Sequence, residues 1–192
     1  MSARFVVRRR RISILAAAAV LAVSLAACGK TGHPATAEND GVYVNAGPIT
    51  YQLQVSRELN QYGTEDSQYL TGLPPGAASV SAGQEWYGVF LWAKNQTNSR
   101  QVTSDQFDIV DTEGNHYYPL QVTPSLNAYA WTAQSLAPGA TEPAPDTTAS
   151  FGPTQGALVL FKLNASIYAN RPLTLEIRGP SQQLWGTISL DL

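Results

Sequence analysis

Apolar and polar positions follow two patterns along this 192-residue chain. One is an uncharged run, Ile12 to Ala27, directly behind four arginines, Arg8 to Arg11. The other begins near Val42 and has a period of two. Ile49, Tyr51, Leu53 and Val55 alternate with Thr50, Gln52, Gln54 and Ser56. Successive side chains of a strand point to opposite faces, so this spacing predicts a strand with one face buried and one wet. Glu85 to Asn95 is the strongest strand. Phe107 to Val110, His116 to Tyr118, Ala157 to Leu163, Leu173 to Arg178 and Trp185 to Leu192 complete the set. Asp111 to Asn115 reads as a hairpin turn in which Gly114 supplies a positive φ. Pro138-Gly139, Pro153 and Gly179-Pro180 punctuate the gaps. No segment after Ala27 carries a helical period. About seven strands without helices predict an all-β, immunoglobulin-like antiparallel β-sandwich. Asn60 to Gly83 and Pro119 to Gly156 do not fit neat hairpins, and the second holds six of the twelve prolines. Loops of that length in a compact domain are usually functional or disordered.

The N-terminal run has the order of an export signal: basic, apolar, then small residues. Its ending, Leu25-Ala26-Ala27-Cys28, resembles the lipobox of bacterial lipoproteins. That resemblance implies cleavage after residue 27, a diacylglyceryl group on the Cys28 thiol, and a mature protein held on the extracytoplasmic face of the cell membrane. Two other readings exist. A spanning anchor needs about 20 apolar residues, more than this alanine-rich run offers. An ordinary secreted protein would be left with a lone thiol, whereas exported cysteines tend to pair. Arg10-Arg11-Ile12-Ser13 matches a twin-arginine signal only weakly, which favours the general secretory route. The expected organisation is a signal peptide over 1–27, a lipidated flexible tether over 28–40, and the sandwich over 41–192. Gly29 to Asp40 is small and polar, as a tether should be.

Removing the signal changes the charge. Five of the twelve basic residues leave with it, so seven remain against fourteen acids, a net charge of −7. Nucleic acid is bound through Lys and Arg, so this acidic balance argues against a nucleic-acid partner, and none is expected. Anchoring by anionic lipid is disfavoured for the same reason, which leaves the acyl chains to hold the protein to the membrane. Cys28 is the only cysteine, so the domain must hold without disulfides. About 150 residues are enough for one core.

Candidate chemistry is sparse. On Glu85 to Asn95, Trp86, Phe90 and Trp92 share one face, and Gly88 leaves a notch between the first two. Exposed, this aromatic stripe is a candidate ligand face for sugar rings. Covered, it is a third layer, with Asn60 to Gly83 packed over it. The opposite orientation, with the indoles inside the sandwich, also fits the alternation. Asp105, Asp108, Asp111, Glu113 and Asn115 form the densest acidic group, but the spacing is that of an acidic hairpin and not of a calcium loop. His116 is the only histidine of the folded part. A single histidine without cysteine cannot make a zinc site, and no nucleophile elbow pairs it with Ser125. No metal, cofactor or catalytic residue is expected.

Lys94-Asn95-Gln96-Thr97, Phe107-Asp108-Ile109-Val110-Asp111 with its Glu113-Gly114 turn, Leu136-Ala137-Pro138-Gly139, Val159-Leu160-Phe161 and Pro172-Leu173-Thr174-Leu175-Glu176 follow in that order. Over residues 41–192 this series resembles the telokin-like immunoglobulin-like domain of exported actinobacterial and firmicute proteins. The long Asn60 to Gly83 stretch departs from that family's pattern. The resemblance implies a non-enzymatic interaction module that binds another envelope component, protein or glycan. Three alternatives remain: glycan binding through the aromatic stripe, an envelope hydrolase, and an inhibitor or chaperone of a secreted enzyme that uses Asn60 to Gly83 as its contact loop.

Overall fold

A computed structural model of the chain describes residues 32–77 and 79–190. The signal segment and Cys28, with the expected lipidation, lie outside the described residues. Twelve strands are present among the described residues, seven of them four residues or longer. One sheet runs β1 (Thr36–Ala37), β12 (Leu184–Leu190), β11 (Leu173–Arg178), β6 (Gln106–Val110) and β7 (His116–Tyr117). The second runs β10 (Ala157–Asn164), β4 (Gln84–Lys94), β3 (Ile49–Leu59) and β2 (Tyr43–Ala46), with β9 (Thr141–Glu142) paired to the end of β4. A small ladder joins β5 (Gln101–Val102) to β8 (Ser135–Leu136). The long pairings are antiparallel, and the fold is the expected β-sandwich. No helix among the described residues is long and apolar enough to cross a membrane.

The core between the sheets follows from the period-two pattern. Tyr51, Leu53, Tyr87, Val89, Leu91, Val159 and Phe161 from one sheet meet Phe107, Ile109, Leu173, Leu175, Ile177 and Ile188 from the other. Burying one such side chain stabilises the fold by about 1.5–3 kcal/mol. Two expectations change. Val55 does not continue the buried face of Ile49, Tyr51 and Leu53. A bulge lies between Leu53, opposite Leu91, and Val55, opposite Phe90. The extra residue, Gln54, turns the following side chains to the other face. Val55 therefore packs on the far side of the sheet, against a second cluster. The segment expected as tether also joins the fold before Asp40. Thr36 and Ala37 pair in parallel with Thr187 and Ile188, and Ala37 is buried. Backbone hydrogen bonds decide that pairing, which is why a small polar sequence could supply it.

The long segments that interrupt the strands build this second cluster. Asn60 to Gly83 carries a helical turn, α1 (Thr64–Ser67), and a 3-10 turn (Gln68–Leu70). Pro119 to Gly156 carries α2 (Thr148–Phe151), whose N-terminus is closed by a Thr147–Ser150 capping box. Both segments lie over the outer face of the β10-β4-β3-β2 sheet.

Candidate functional site

Trp86, Phe90 and Trp92 do share one face of β4, but the fold treats them differently. Trp86 is 1% exposed and Phe90 is fully buried. Tyr69, from the first long segment, meets Phe90 edge-on at 5.0 Å, and Tyr129, from the second, meets Tyr69 edge-on at 4.7 Å. Asn127 ties the two segments together. Its Nδ2 donates to the carbonyls of Tyr69 (2.9 Å) and Thr71 (3.1 Å), and its Oδ1 accepts from the amide of Tyr129 (2.9 Å). The notch at Gly88 is filled, since a Cβ there would sit 3.0–3.1 Å from Phe90, Leu158 and Leu59. A continuous exposed stripe is thus not present. The apolar residues of the two long segments need a partner, and the outer side of β4 supplies it.

Trp92 escapes this cover and remains half-buried. It lies opposite Gln52 of β3, and Gln52 lies opposite Tyr43 of β2, so Tyr43, Gln52 and Trp92 form one row across three strands. Around this row Gln54, Ser150 and Gln155 complete a groove of about 280 Å³. Gln54 Nε2 donates to Gln52 Oε1 (2.7 Å), and Gln52 Nε2 donates to the Gly41 carbonyl (2.6 Å), which fixes the amide orientations. Tyr43 is 39% exposed. The lining carries no charged side chain. An indole beside fixed amides can stack on an apolar ring face while the amides pair with hydroxyls. Gln52 and Gln155 were not legible as partners of Trp92, because the pairing register and the return of the second long segment bring them there.

The acidic group is spent on structure. Asp111 Oδ1 accepts from the amides of Glu113 and Asn115 (both 2.9 Å), and Oδ2 accepts from Asn115 Nδ2, the Tyr117 hydroxyl and Asn170 Nδ2. Burial would raise the Asp111 pKa, but these donors outweigh it and hold the carboxyl well below its usual range. Asp108 points the other way, as the odd spacing predicts. With His116 and Glu176 it forms a group whose ligand atoms lie within 4.8 Å of one another. Arg178 already supplies the cation there. Its Nε donates to Asp108 Oδ2 (3.1 Å), and its Nη2 is in close contact with Glu176. The His116 ring contacts the same Asp108 oxygen at 3.1 Å, and among the described residues no hydroxyl is hydrogen-bonded to it.

Sequence reasoning missed Glu142. This residue of β9 is 3% exposed, beneath Thr103 Oγ1 (3.0 Å) and the amide of Thr132 (3.2 Å), both of which donate to it. Burial pushes its carboxyl up to about 7 against these hydrogen bonds. Nothing in Ala140-Thr141-Glu142-Pro143 marks it as interior.

The fold is similar to that of the yjhA protein from Bacillus subtilis, whose crystal structure aligns with a TM-score of 0.52 at 11% sequence identity, over 80% of this chain and 99% of that one. An uncharacterised β-sandwich protein from Clostridium difficile 630 aligns with a TM-score of 0.41 at 10% identity, over 84% of this chain and 96% of that one. No family model matches the chain, and no curated protein matches it. At this identity the likeness to the Bacillus protein concerns the fold alone.

Proposed function

We propose that this protein is a lipid-anchored, non-enzymatic binding module that holds an uncharged envelope glycan in the Trp92 groove on the extracytoplasmic side of the membrane. The observation that carries this reading is the Tyr43–Gln52–Trp92 row: two aromatic rings and a fixed amide in register across three strands, in an uncharged groove. The groove's volume suits one sugar ring or a short stretch of a polymer. Its lining has no carboxylate, and the nearby His33 ring lies against Tyr43 at 5.2 Å, which supports binding over hydrolysis by paired carboxylates. The anchoring half of the proposal rests on the lipobox-like ending at Cys28 and on the resemblance to telokin-like immunoglobulin-like domains.

Titration of the detergent-solubilised full-length protein with an N-acetylglucosamine oligomer, followed by tryptophan fluorescence, tests the ligand. Saturable quenching is expected, with affinity lost in Trp92→Ala and weakened about tenfold or more in Gln52→Ala, since each amide–hydroxyl pair is then left unmade. Absence of binding, or equal binding by Trp92→Ala, overturns the glycan reading. The anchor has its own measurement. Mass spectrometry of the natively produced protein should find Cys28 as the acylated N-terminus, and any other N-terminus refutes that half.

A further inference from the structure

The polar groups of the Trp92 groove are not interchangeable, because the backbone beside them sets which atoms donate and which accept. Gly41, two residues before β2, has a φ of +75°, and its amide donates to the Leu53 carbonyl at 2.9 Å, which holds that turn against β3. The Gly41 carbonyl can only accept. Gln52 must therefore turn its Nε2 toward Gly41, where it donates at 2.6 Å, and its Oε1 away. That oxygen accepts from Gln54 Nε2 at 2.7 Å. Gln54 Oε1 is left at the free end of this relay, with no hydrogen bond among the described residues. Gln54 is also the extra residue of the β3 bulge, so no residue of β4 stands opposite it. Bulges next to sites re-aim side chains in this way.

The remaining polar groups complete the account. Ser150 Oγ is closed within the capping box of α2, donating to the Thr147 carbonyl (2.8 Å) and accepting from the Thr147 amide (3.1 Å). Gln155 and the Tyr43 hydroxyl make no hydrogen bond among the described residues, and each can donate or accept. The groove thus offers one acceptor of fixed polarity, two adaptable groups and the indole of Trp92.

Fixed polarity narrows the class of ligand. A carboxylate or phosphate has no donor to give Gln54 Oε1 and is repelled there. A hydroxyl can meet it, but a hydroxyl turns to suit any polar atom and draws no advantage from the relay. A secondary amide matches the groove more fully. Its N–H can only donate, its carbonyl faces the opposite way, toward a donor such as Gln155 Nε2, and an attached methyl packs on an indole. On the reading of the groove as a glycan site, we infer that it selects N-acetylated sugars, with Gln54 Oε1 accepting the acetamido N–H and Gln155 donating to the acetamido carbonyl. Gln54 sets the specificity, and Gln52 positions it.

Isothermal titration of the full-length protein in detergent compares two β-linked trimers, chitotriose and cellotriose, in which an acetamido group is exchanged for a hydroxyl. Wild type should bind chitotriose about tenfold or more tighter than cellotriose. Gln54→Met keeps the length of the side chain and removes the acceptor. It should weaken chitotriose about tenfold and change cellotriose by less than about threefold, which brings the trimers level while urea unfolding stays cooperative. Gln155→Ala, on an exposed segment, should narrow the preference several-fold, and it carries the test should Gln54→Met fail to fold. Equal binding of the two trimers by wild type would overturn the selectivity and leave the glycan reading standing. A preference unchanged in both variants would overturn the roles of Gln54 and Gln155. Binding of neither trimer would remove the glycan reading and the selectivity together.

Discussion

Trp86 and Trp92 stand six residues apart on the same face of the same strand, yet one is interior and the other lines a groove. Both indoles leave antiparallel pairings, Trp86 opposite Leu59 and Lys162 and Trp92 opposite Gln52. What separates them is the extent of the cover. Tyr69, Leu70, Leu73, Leu120, Val122 and Tyr129 reach across Phe90 and Trp86 and stop short of Trp92. A sheet face is therefore divided into core and site by segments distant in sequence. The protein's two long irregular stretches serve as a lid that is itself folded, with Asn127 stitching them together and an edge-to-face aromatic pair at each joint.

The sharpest way to break this comparison is to empty the covered end. Phe90 is fully buried in one cluster with Leu59 and Leu158, and the Tyr69 ring of the lid meets it edge-on. Phe90→Ala should cost about 3–5 kcal/mol, the range for a buried phenyl removed from a packed core. Urea unfolding followed by circular dichroism measures it as a drop in midpoint. A loss under about 1 kcal/mol would mean that the cover is loose and that the two ends of β4 differ little.

Much of this division could not be read in advance, and the reasons are physical. The strands were legible because a half-buried strand must alternate, as Leu173, Leu175 and Ile177 do. The hairpin was legible because Asp111 and Gly114 do chemistry that a tight turn requires. Glu85 to Asn95 was legible as a strand, but apolar residues on both its faces say only that both want cover. Which loop covers which stretch depends on contacts such as Asn127 to Tyr69, 58 residues apart, and irregular loops carry no periodicity to announce them. The bulge at Gln54 was hidden for a similar reason. An extra residue in a pairing leaves the composition unchanged and shifts only the phase. The groove was half visible, through Trp92, while its amide partners came from register.

A second prediction concerns how the open end is held. β9 pairs with β4 at Ala93 and Lys94, beside Trp92, and Glu142 sits in that pairing with its carboxyl inside. Its pKa in the folded state, about 7, lies above the ordinary 4.5. The folded form thus holds a proton that the unfolded chain releases. The stabilisation is complete below about pH 4.5 and is lost as pH rises through 7, an effect on the order of 3 kcal/mol for a shift of this size. Glu142→Gln keeps the shape and removes the titration, so its stability should be flatter than wild type between pH 5 and pH 8 as followed by urea midpoints. Wild type and variant with parallel pH profiles would show that Glu142 does not govern this end of the sheet.

The smallest effect is the most telling about the division itself. Trp92 is as large as Trp86, and by size alone its removal should be as damaging. Because part of the ring faces the groove, truncation exposes a surface that water already reaches and leaves no closed cavity. Trp92→Ala should cost no more than about 1 kcal/mol, the level of substitutions away from a packed interior. Measured beside Phe90→Ala in the same urea series, it turns the contrast between two residues of one strand face into a number. If Trp92→Ala were as destabilising as Phe90→Ala, the ring would be serving the core. The row it forms with Gln52 and Tyr43 would then be packing, with no site left for a ligand.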